Sequence, residues 1–291
     1  MVLDYDAVKT WAFPEQSVRC DASASILYAL SLGLGDDVAI HARSLDYVYE
    51  KQLRVLPTFA VTLGFPGSWM SDPRTGIDYK KVVHGEQRLS LHRPLRPDTT
   101  LRVRNRIAAI VDKGPGRGAL VLIERVLAEG DGSSVVASMQ QVTFCRGDGG
   151  FSAGGALPDT LPAPLPRVPE LTPDTVHTAT TRTDMALLYR LSGDRNPLHA
   201  DPHVAAAAGF PRPILHGLAT YGLACKALLA TVCDGDETQI AEFSARFTAP
   251  MYPGESLETQ IWLAGTSVHF RCRAVERDQI VLDNGIARLR D

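Results

Sequence analysis

The residues most able to do chemistry lie between Leu187 and Leu223, in LLYRLSGDRNPLHADPHVAAAAGFPRPILHGLATYGL. Asp194, Asn196 and His199 share the turn-forming segment Ser192-Gly193-Asp194-Arg195-Asn196-Pro197-Leu198-His199. His216-Gly217 follows at the mouth of an apolar helical run. An ionised Asp194 and a neutral His199 can share a water, remove its proton and return a proton to carbon. Partial burial would raise the carboxylate pKa and lower that of the imidazole, bringing both towards working pH. Asn196 can donate an amide N–H or orient the water. The Gly217 N–H stands at a helix start, where unpaired donors and the helix dipole favour a developing negative oxygen. These groups suit addition of water to an α,β-unsaturated thioester, whose carbonyl turns enolate-like as hydroxide adds at the β-carbon. The plainer reading of Asp and Asn before Pro is turn or cap. His216 reads as positional, since the neighbouring glycine amide suffices for the oxyanion role.

The elements that must hold these residues can be read around them. Gly193 and Pro197 bracket the turn, and Asn196 is biased away from αR by the proline after it. Asp201-Pro202 reads as an N-cap with Pro at N1, opening a short helix from His203 to Ala208 that Gly209 stops. Gly217 to Val232 is the longest helical run of this half, and its small residues Ala219, Gly222, Ala224 and Ala227 suit burial against a sheet. Upstream, Asp21, Ser23 and Ser25 open a helical pattern over residues 20–34 that Gly33 stops. Leu56 to Leu63 is apolar and reads as a strand or a buried helix. Val82 to Leu91, Thr100 to Val111, Leu120 to Ala128 and Ser134 to Phe144 read as strands of an antiparallel meander. They are separated by turn signals at Pro94/Pro97, Gly114-Pro115-Gly116 and Gly130-Asp131-Gly132.

From Gly149 to Pro173 glycines give way to prolines, the composition of an extended, semi-rigid linker. Beyond it the pattern returns. Leu187-Leu188-Tyr189-Arg190-Leu191-Ser192 echoes Ile26-Leu27-Tyr28-Ala29-Leu30-Ser31, and Pro250 to Leu257 echoes Pro94 to Leu101, both about 160 residues apart. Strands are expected again over Glu258 to Ala264, Ser267 to Val275 and Gln279 to Leu289. The chain therefore reads as an internal duplication of α+β class: a first repeat over 1–150, a linker over 151–173 and a second repeat over 174–291.

Composition narrows the function. A net charge of −3 with a pI near 6.2 gives no nucleic-acid footprint, and no apolar run reaches membrane-spanning length. Met1 to Asp6 has neither a basic nor an apolar leader region, and the C-terminus carries no peroxisomal address. The cysteines, Cys20, Cys145, Cys225, Cys233 and Cys272, are odd in number and widely spaced. They fit a reduced, cytoplasmic protein rather than a disulfide framework or a zinc site.

Tyr189-x-Leu191-Ser192-Gly193-Asp194-x-Asn196-Pro197-Leu198-His199, with Gly209-Phe210 and Ile214-Leu215-His216-Gly217, resembles the hydratase 2 motif of the MaoC-like, (R)-specific enoyl-CoA hydratases. In the first half, Tyr28-Ala29-Leu30, Tyr49-Glu50, Leu56-Pro57-Thr58-Phe59, His84-Gly85-Glu86-Gln87 and Asp112-Lys113-Gly114 are similar to the N-terminal half of the hydratase 2 unit of peroxisomal multifunctional enzymes. The resemblance implies a double hot-dog fold, each repeat a long helix wrapped by an antiparallel sheet. It implies Asp194 and His199 as the catalytic pair, Asn196 as helper, Gly217 as oxyanion donor and Glu50 as a further catalytic residue. His84, Gly85, Lys113 and Phe247 would line the acyl-CoA site, and the first repeat, without the motif, would accommodate longer acyl chains. The expected substrate is a (2E)-enoyl-CoA, with no metal or redox cofactor, and a homodimer is the expected assembly.

Without the resemblance Glu50 reads as an exposed carboxylate and Lys113 as a solvated hairpin residue; functionally, Lys113 would meet a CoA phosphate as a point charge. Asp36 and His41 also lie five apart, but lack Asn-Pro between them. Competing readings are a hot-dog thioesterase, a dehydratase acting on acyl carrier protein or on a branched or dicarboxylic acyl-CoA, and a non-catalytic acyl-CoA-binding module.

Overall fold

The computed structural model describes residues 3–36, 42–152, 155 and 159–290. His41, the partner of Asp36 in the second acid–imidazole pair, lies outside the described residues. The first repeat opens with helix α1 (Tyr5–Lys9), strand β1 (Gln16–Cys20) and helix α2 (Ala22–Ser31). The Asp21 carboxylate accepts from the Ala24 N–H, as its type at the N-cap predicts, and Gly33 leaves the helix at φ 72°. Leu56 to Leu63, ambiguous in sequence, is a buried 3-10 turn over Pro57–Thr62. Short 3-10 turns then lead into β2 (Val82–Leu91), β3 (Thr99–Asp112), β4 (Ala119–Glu129) and β5 (Ser134–Cys145).

The second repeat runs β6 (Thr175–Thr180), α3 (Met185–Tyr189), α4 (Pro202–Ala207), α5 (Gly217–Thr231), β7 (Ile240–Phe247), β8 (Ser256–Ala264), β9 (Ser267–Ala274) and β10 (Gln279–Leu289). Asp201 caps α4 with Pro202 at its first position.

All ten strands form one antiparallel sheet in the order β1-β3-β4-β5-β2-β7-β10-β9-β8-β6. The order is palindromic, each strand of the first half mirrored by a counterpart in the second, as two similar halves related by a two-fold axis give. The repeats meet where β2 pairs with β7, from Glu86 opposite Arg246 to Ser90 opposite Glu242. The strand order departs from the expected meander at one point. β2 does not pair with β3; it pairs with β5 on one side and β7 on the other. The proline-bearing turn after β2 carries the chain to the far strand β1, where the Asp98 N–H donates to the Cys20 carbonyl and β3 begins.

The repeats differ in what lies on the sheet. In the second, the 15-residue α5 precedes β7 and is buried along most of its length. In the first, the stretch before β2 forms 3-10 turns instead, and its longest described helix is the 10-residue α2. A single main core draws on both repeats: Tyr28, Leu32, Phe59, Leu89, Leu127 and Met185 pack in one cluster with Tyr189, Tyr221, Leu228, Phe243 and Phe270. The described part of the linker is fastened down. Asp159 takes the Lys9 ammonium at 2.7 Å and the Ile110 N–H at 3.0 Å. Leu161 packs on Ala109, Leu122 and Val142, and Leu165 and Val168 are buried. The Trp262 indole donates to the Leu171 carbonyl at 2.8 Å. The five cysteines are free and buried.

Candidate active site

The loop between α3 and α4 folds as its turn residues dictate. Gly193 takes φ 124°, a conformation closed to most side chains. The Asp194 carboxylate accepts from the Asn196 N–H at 3.1 Å, and the Asn196 side-chain oxygen accepts from the Leu198 N–H at 3.0 Å, capping a 3-10 turn over Pro197–His199. The turn and capping reading of these residues holds. The Asn196 amide nitrogen keeps its N–H groups uncommitted among the described residues.

This turn aims His199 at Asp194. Their closest atoms, Nε2 and Oδ2, are 4.0 Å apart: too far for a direct hydrogen bond, and the right gap for one bridging water. His199 Nδ1 lies 2.9 Å from the Ile214 carbonyl, so in the neutral ring Nδ1 carries the proton and Nε2 presents its lone pair to the acid. Burial lowers the His199 pKa, opposed by the Ile214 hydrogen bond and by the Asp194 charge. Burial therefore favours the neutral ring. The Asp194 side chain is 43% exposed and reachable from solvent.

His216 supports this pair. Its ring stacks on His199 at a centroid distance of 3.7 Å, and its Nε2 donates to the Asp194 backbone carbonyl at 3.1 Å. It thus touches both His199 and Asp194. Burial, with the neighbouring His199, pushes its pKa down to about 3. Tyr189 packs on its other side at 4.9 Å, and Tyr28 on Tyr189 at 5.7 Å, tying the site into the shared core. Donor atoms of Asp194, His199 and His216 all lie within 4.8 Å of one another, a spacing that admits a water or a small cation.

Gly217 is the first residue of α5, directly after His216. A Cβ there would stand 3.1 Å from the Phe247 ring, so glycine lets the helix start close against it. The Gly217 and Leu218 N–H groups have no partner among the described residues, whereas those of Ala219 and Thr220 reach the His216 carbonyl. Phe247, at the end of β7, stacks on His84 of β2 at 4.5 Å. Burial lowers the His84 pKa to about 4, and the ring also feels the charges of Arg125 and Asp194. Gly85 is a bulge: the pairing with β5 slips between His84 and Glu86. Lys113, in the β3–β4 hairpin, holds its ammonium 5.0 Å from the Phe144 ring, and Phe144 pairs with Val83. No carboxylate pairs with Lys113 among the described residues.

The structure thus gathers Asp194, Asn196, His199 and Gly217 from the second repeat with Phe247, His84 and Gly85 at the seam, and Lys113 beyond. Glu50 is not brought into this group. It is exposed, and its segment is tied to the far end of α5: Arg54 reaches Asp236 at 2.7 Å and Tyr47 reaches Glu237 at 3.0 Å. The length of α5, roughly 22 Å, separates that end from Gly217.

Two family patterns match the chain: the MaoC like domain over residues 165–284 and the MFE-2 hydratase 2 N-terminal domain over residues 19–147. "Enoyl-CoA hydratase 2, peroxisomal" of Arabidopsis thaliana is 37% identical over 95% of this chain and 93% of its own. The MaoC-like dehydratase of Phytophthora capsici superposes with a TM-score of 0.85 at 29% identity, covering 99% of both chains. The full-length peroxisomal multifunctional enzyme type 2 of Drosophila melanogaster superposes with a TM-score of 0.80 at 32% identity over 95% of this chain, which spans 48% of that longer protein. The chain belongs to the hydratase 2 family of MaoC-like, double hot-dog proteins.

Proposed function

We propose that the protein is an (R)-specific enoyl-CoA hydratase, adding water reversibly and syn to a (2E)-enoyl-CoA to give the (3R)-3-hydroxyacyl-CoA. The observation that carries this reading is the water-sized gap between His199 Nε2 and Asp194 Oδ2, with an uncommitted helix-start amide at Gly217 nearby. A water held by both groups loses a proton to His199 Nε2 as its oxygen bonds C3. The thioester oxygen gathers charge against the Gly217 N–H, and the imidazolium returns the proton to C2 on the same face. Protons and electrons balance, and neither a metal nor a redox cofactor enters a step. Asp194 orients the water and stabilises the transient imidazolium; Lys113 offers its ammonium to a CoA phosphate.

The test is hydration of (2E)-enoyl-CoAs from crotonyl-CoA upward, with chiral analysis of the product. An (R)-product is expected, and an (S)-product refutes the reading. Asp194→Asn and His199→Ala are each expected to cost about 10²–10⁴-fold in turnover with an unchanged melting transition. Release of free CoA, followed with a thiol reagent, would instead identify a thioesterase, and comparison with acyl carrier protein thioesters settles the carrier. As assembly we propose a homodimer. Leu30, Leu187 and Leu191, on and beside the adjoining helices α2 and α3, are 43%, 53% and 48% exposed and offer an apolar face. Sedimentation equilibrium checks it.

A further inference from the structure

Arg125 occupies a place on β4 where the strand alternation calls for a core residue. Ile123 and Leu127, its neighbours on the same face, are buried and apolar, and Arg125 itself is only 5% exposed. No carboxylate pairs with it among the described residues. Part of its bonding is structural. Nε donates to the Asn105 side-chain oxygen at 3.0 Å, and Nη1 donates to the Val61 and Leu63 carbonyls at 2.9 and 3.1 Å. These bonds fix the 3-10 segment that stands where the second repeat has α5. The Nη2 amino group has no hydrogen-bond partner among the described residues. A small cavity is lined by Arg125 with Gln87, Ile123, Met139 and Gln141.

Neutral donors would suffice to hold three neutral acceptors. Among the described residues the charge meets only the Phe65 ring, 5.8 Å from the guanidinium carbon, and a buried cation without a counter-charge is costly. Burial accordingly pushes the Arg125 pKa down to about 10. The cavity also lies in line with the catalytic group. His84 is opposite Thr143 and Gln87 is opposite Gln141, so the bulge at Gly85 puts His84 and Gln87 on one face of β2, roughly 7 Å apart along the strand. On the neighbouring strands Gln141 is opposite Ile123, and Met139 opposite Arg125.

We propose that this cavity is the far end of the acyl pocket and that Arg125 there receives a carboxylate at the tail of the substrate, an enoyl-CoA whose acyl chain is ω-carboxylated. The proposal rests on the hydratase reading and specifies its substrate class. The free Nη2 N–H groups supply the donors, joined by the second N–H of the Gln141 amide, whose first goes to the Thr143 hydroxyl at 3.2 Å, and the incoming anion cancels the uncompensated charge.

The test compares ω-carboxy-, ω-hydroxy- and ω-methyl-(2E)-enoyl-CoAs of matched length, over a range of lengths, with the wild-type protein. At the length that reaches Arg125, kcat/KM is expected to favour the carboxylate by about tenfold or more. Arg125→Met should abolish or invert that ratio, and Gln141→Leu, which touches none of the bonds to the 3-10 segment, should reduce it. If Arg125→Met does not fold, the wild-type panel and Gln141→Leu decide. Preference for the methyl or the hydroxyl end at every length overturns the proposal, as does a ratio unmoved by the substitutions. Failure to hydrate any of the three, crotonyl-CoA included, sinks the hydratase reading itself.

Discussion

His199 and His216 are stacked imidazoles with different tasks, separated by which nitrogen each commits to a carbonyl. His199 spends Nδ1 on Ile214 and leaves Nε2 facing Asp194; His216 spends Nε2 on the Asp194 carbonyl. Two pH effects follow. The acidic limb of kcat/KM should lie below the ordinary histidine value, because the base we propose, His199, works only when neutral and burial lowers its pKa. A pH–rate profile checks this; a limb at or above that value contradicts the assignment. For stability, the His216 pKa of about 3 lies below its unfolded value near 6.5, so the unfolded chain binds a proton in that window and the folded one does not. The contribution is complete above that unfolded value and is lost as pH falls towards 3, at about 1.4 kcal/mol per pH unit for the one proton. Denaturant titrations of wild type and His216→Gln should show the shallower acid slope in the variant. The catalytic loop was legible because Gly193, Asn196 and Pro197 are turn residues with few alternative uses. Arg125 was overlooked because a charged residue in a strand reads by default as outward. Its parity with Val121, Ile123 and Leu127 was the signal, and inward Asn105 among Leu101, Val103 and Ile107 was the matching one.

Among the elements, α5 comes close to the C-terminal end of α2 at Gly222. A Cβ at Gly222 would stand 2.7 Å from Leu32 Cδ1 and 2.9 Å from the Tyr28 hydroxyl. Leu32 is fully buried and Tyr28 donates to Thr58 at 2.9 Å, so neither yields easily. Gly222→Ala should therefore destabilise by about 1–3 kcal/mol despite its better helix propensity, read as a lowered urea midpoint. The sequence marked α2, α4, α5 and the hairpin strands well, because capping aspartates and Gly/Pro turns punctuate them. β1, β6 and β7 escaped. β1 and β6 are short edge strands with an alternating, half-exposed pattern, and β7 is a short strand whose partners come from both repeats. The 3-10 segment over Pro57–Thr62 is apolar all round, which defeats periodicity as a guide.

For the whole molecule, the duplication visible in two sequence echoes becomes a palindromic sheet, but not two separable domains. The main core takes side chains from both repeats, β7 has β2 as a partner, and the linker lies fastened along the surface. Residues 174–291 expressed alone should fail to fold cooperatively, whereas the intact chain should melt in one transition by calorimetry. Two separate transitions would contradict this.

The seam between β2 and β7 carries one more consequence. His84 and Phe247 face each other across it, and the proposed catalytic pair is anchored behind it through His216, Tyr189 and Tyr28. The active centre is therefore a property of the join. Any opening that parts the repeats silences the enzyme at the moment it begins. Heat inactivation should then track unfolding degree for degree, and turnover itself becomes a gauge of how much of the population is closed.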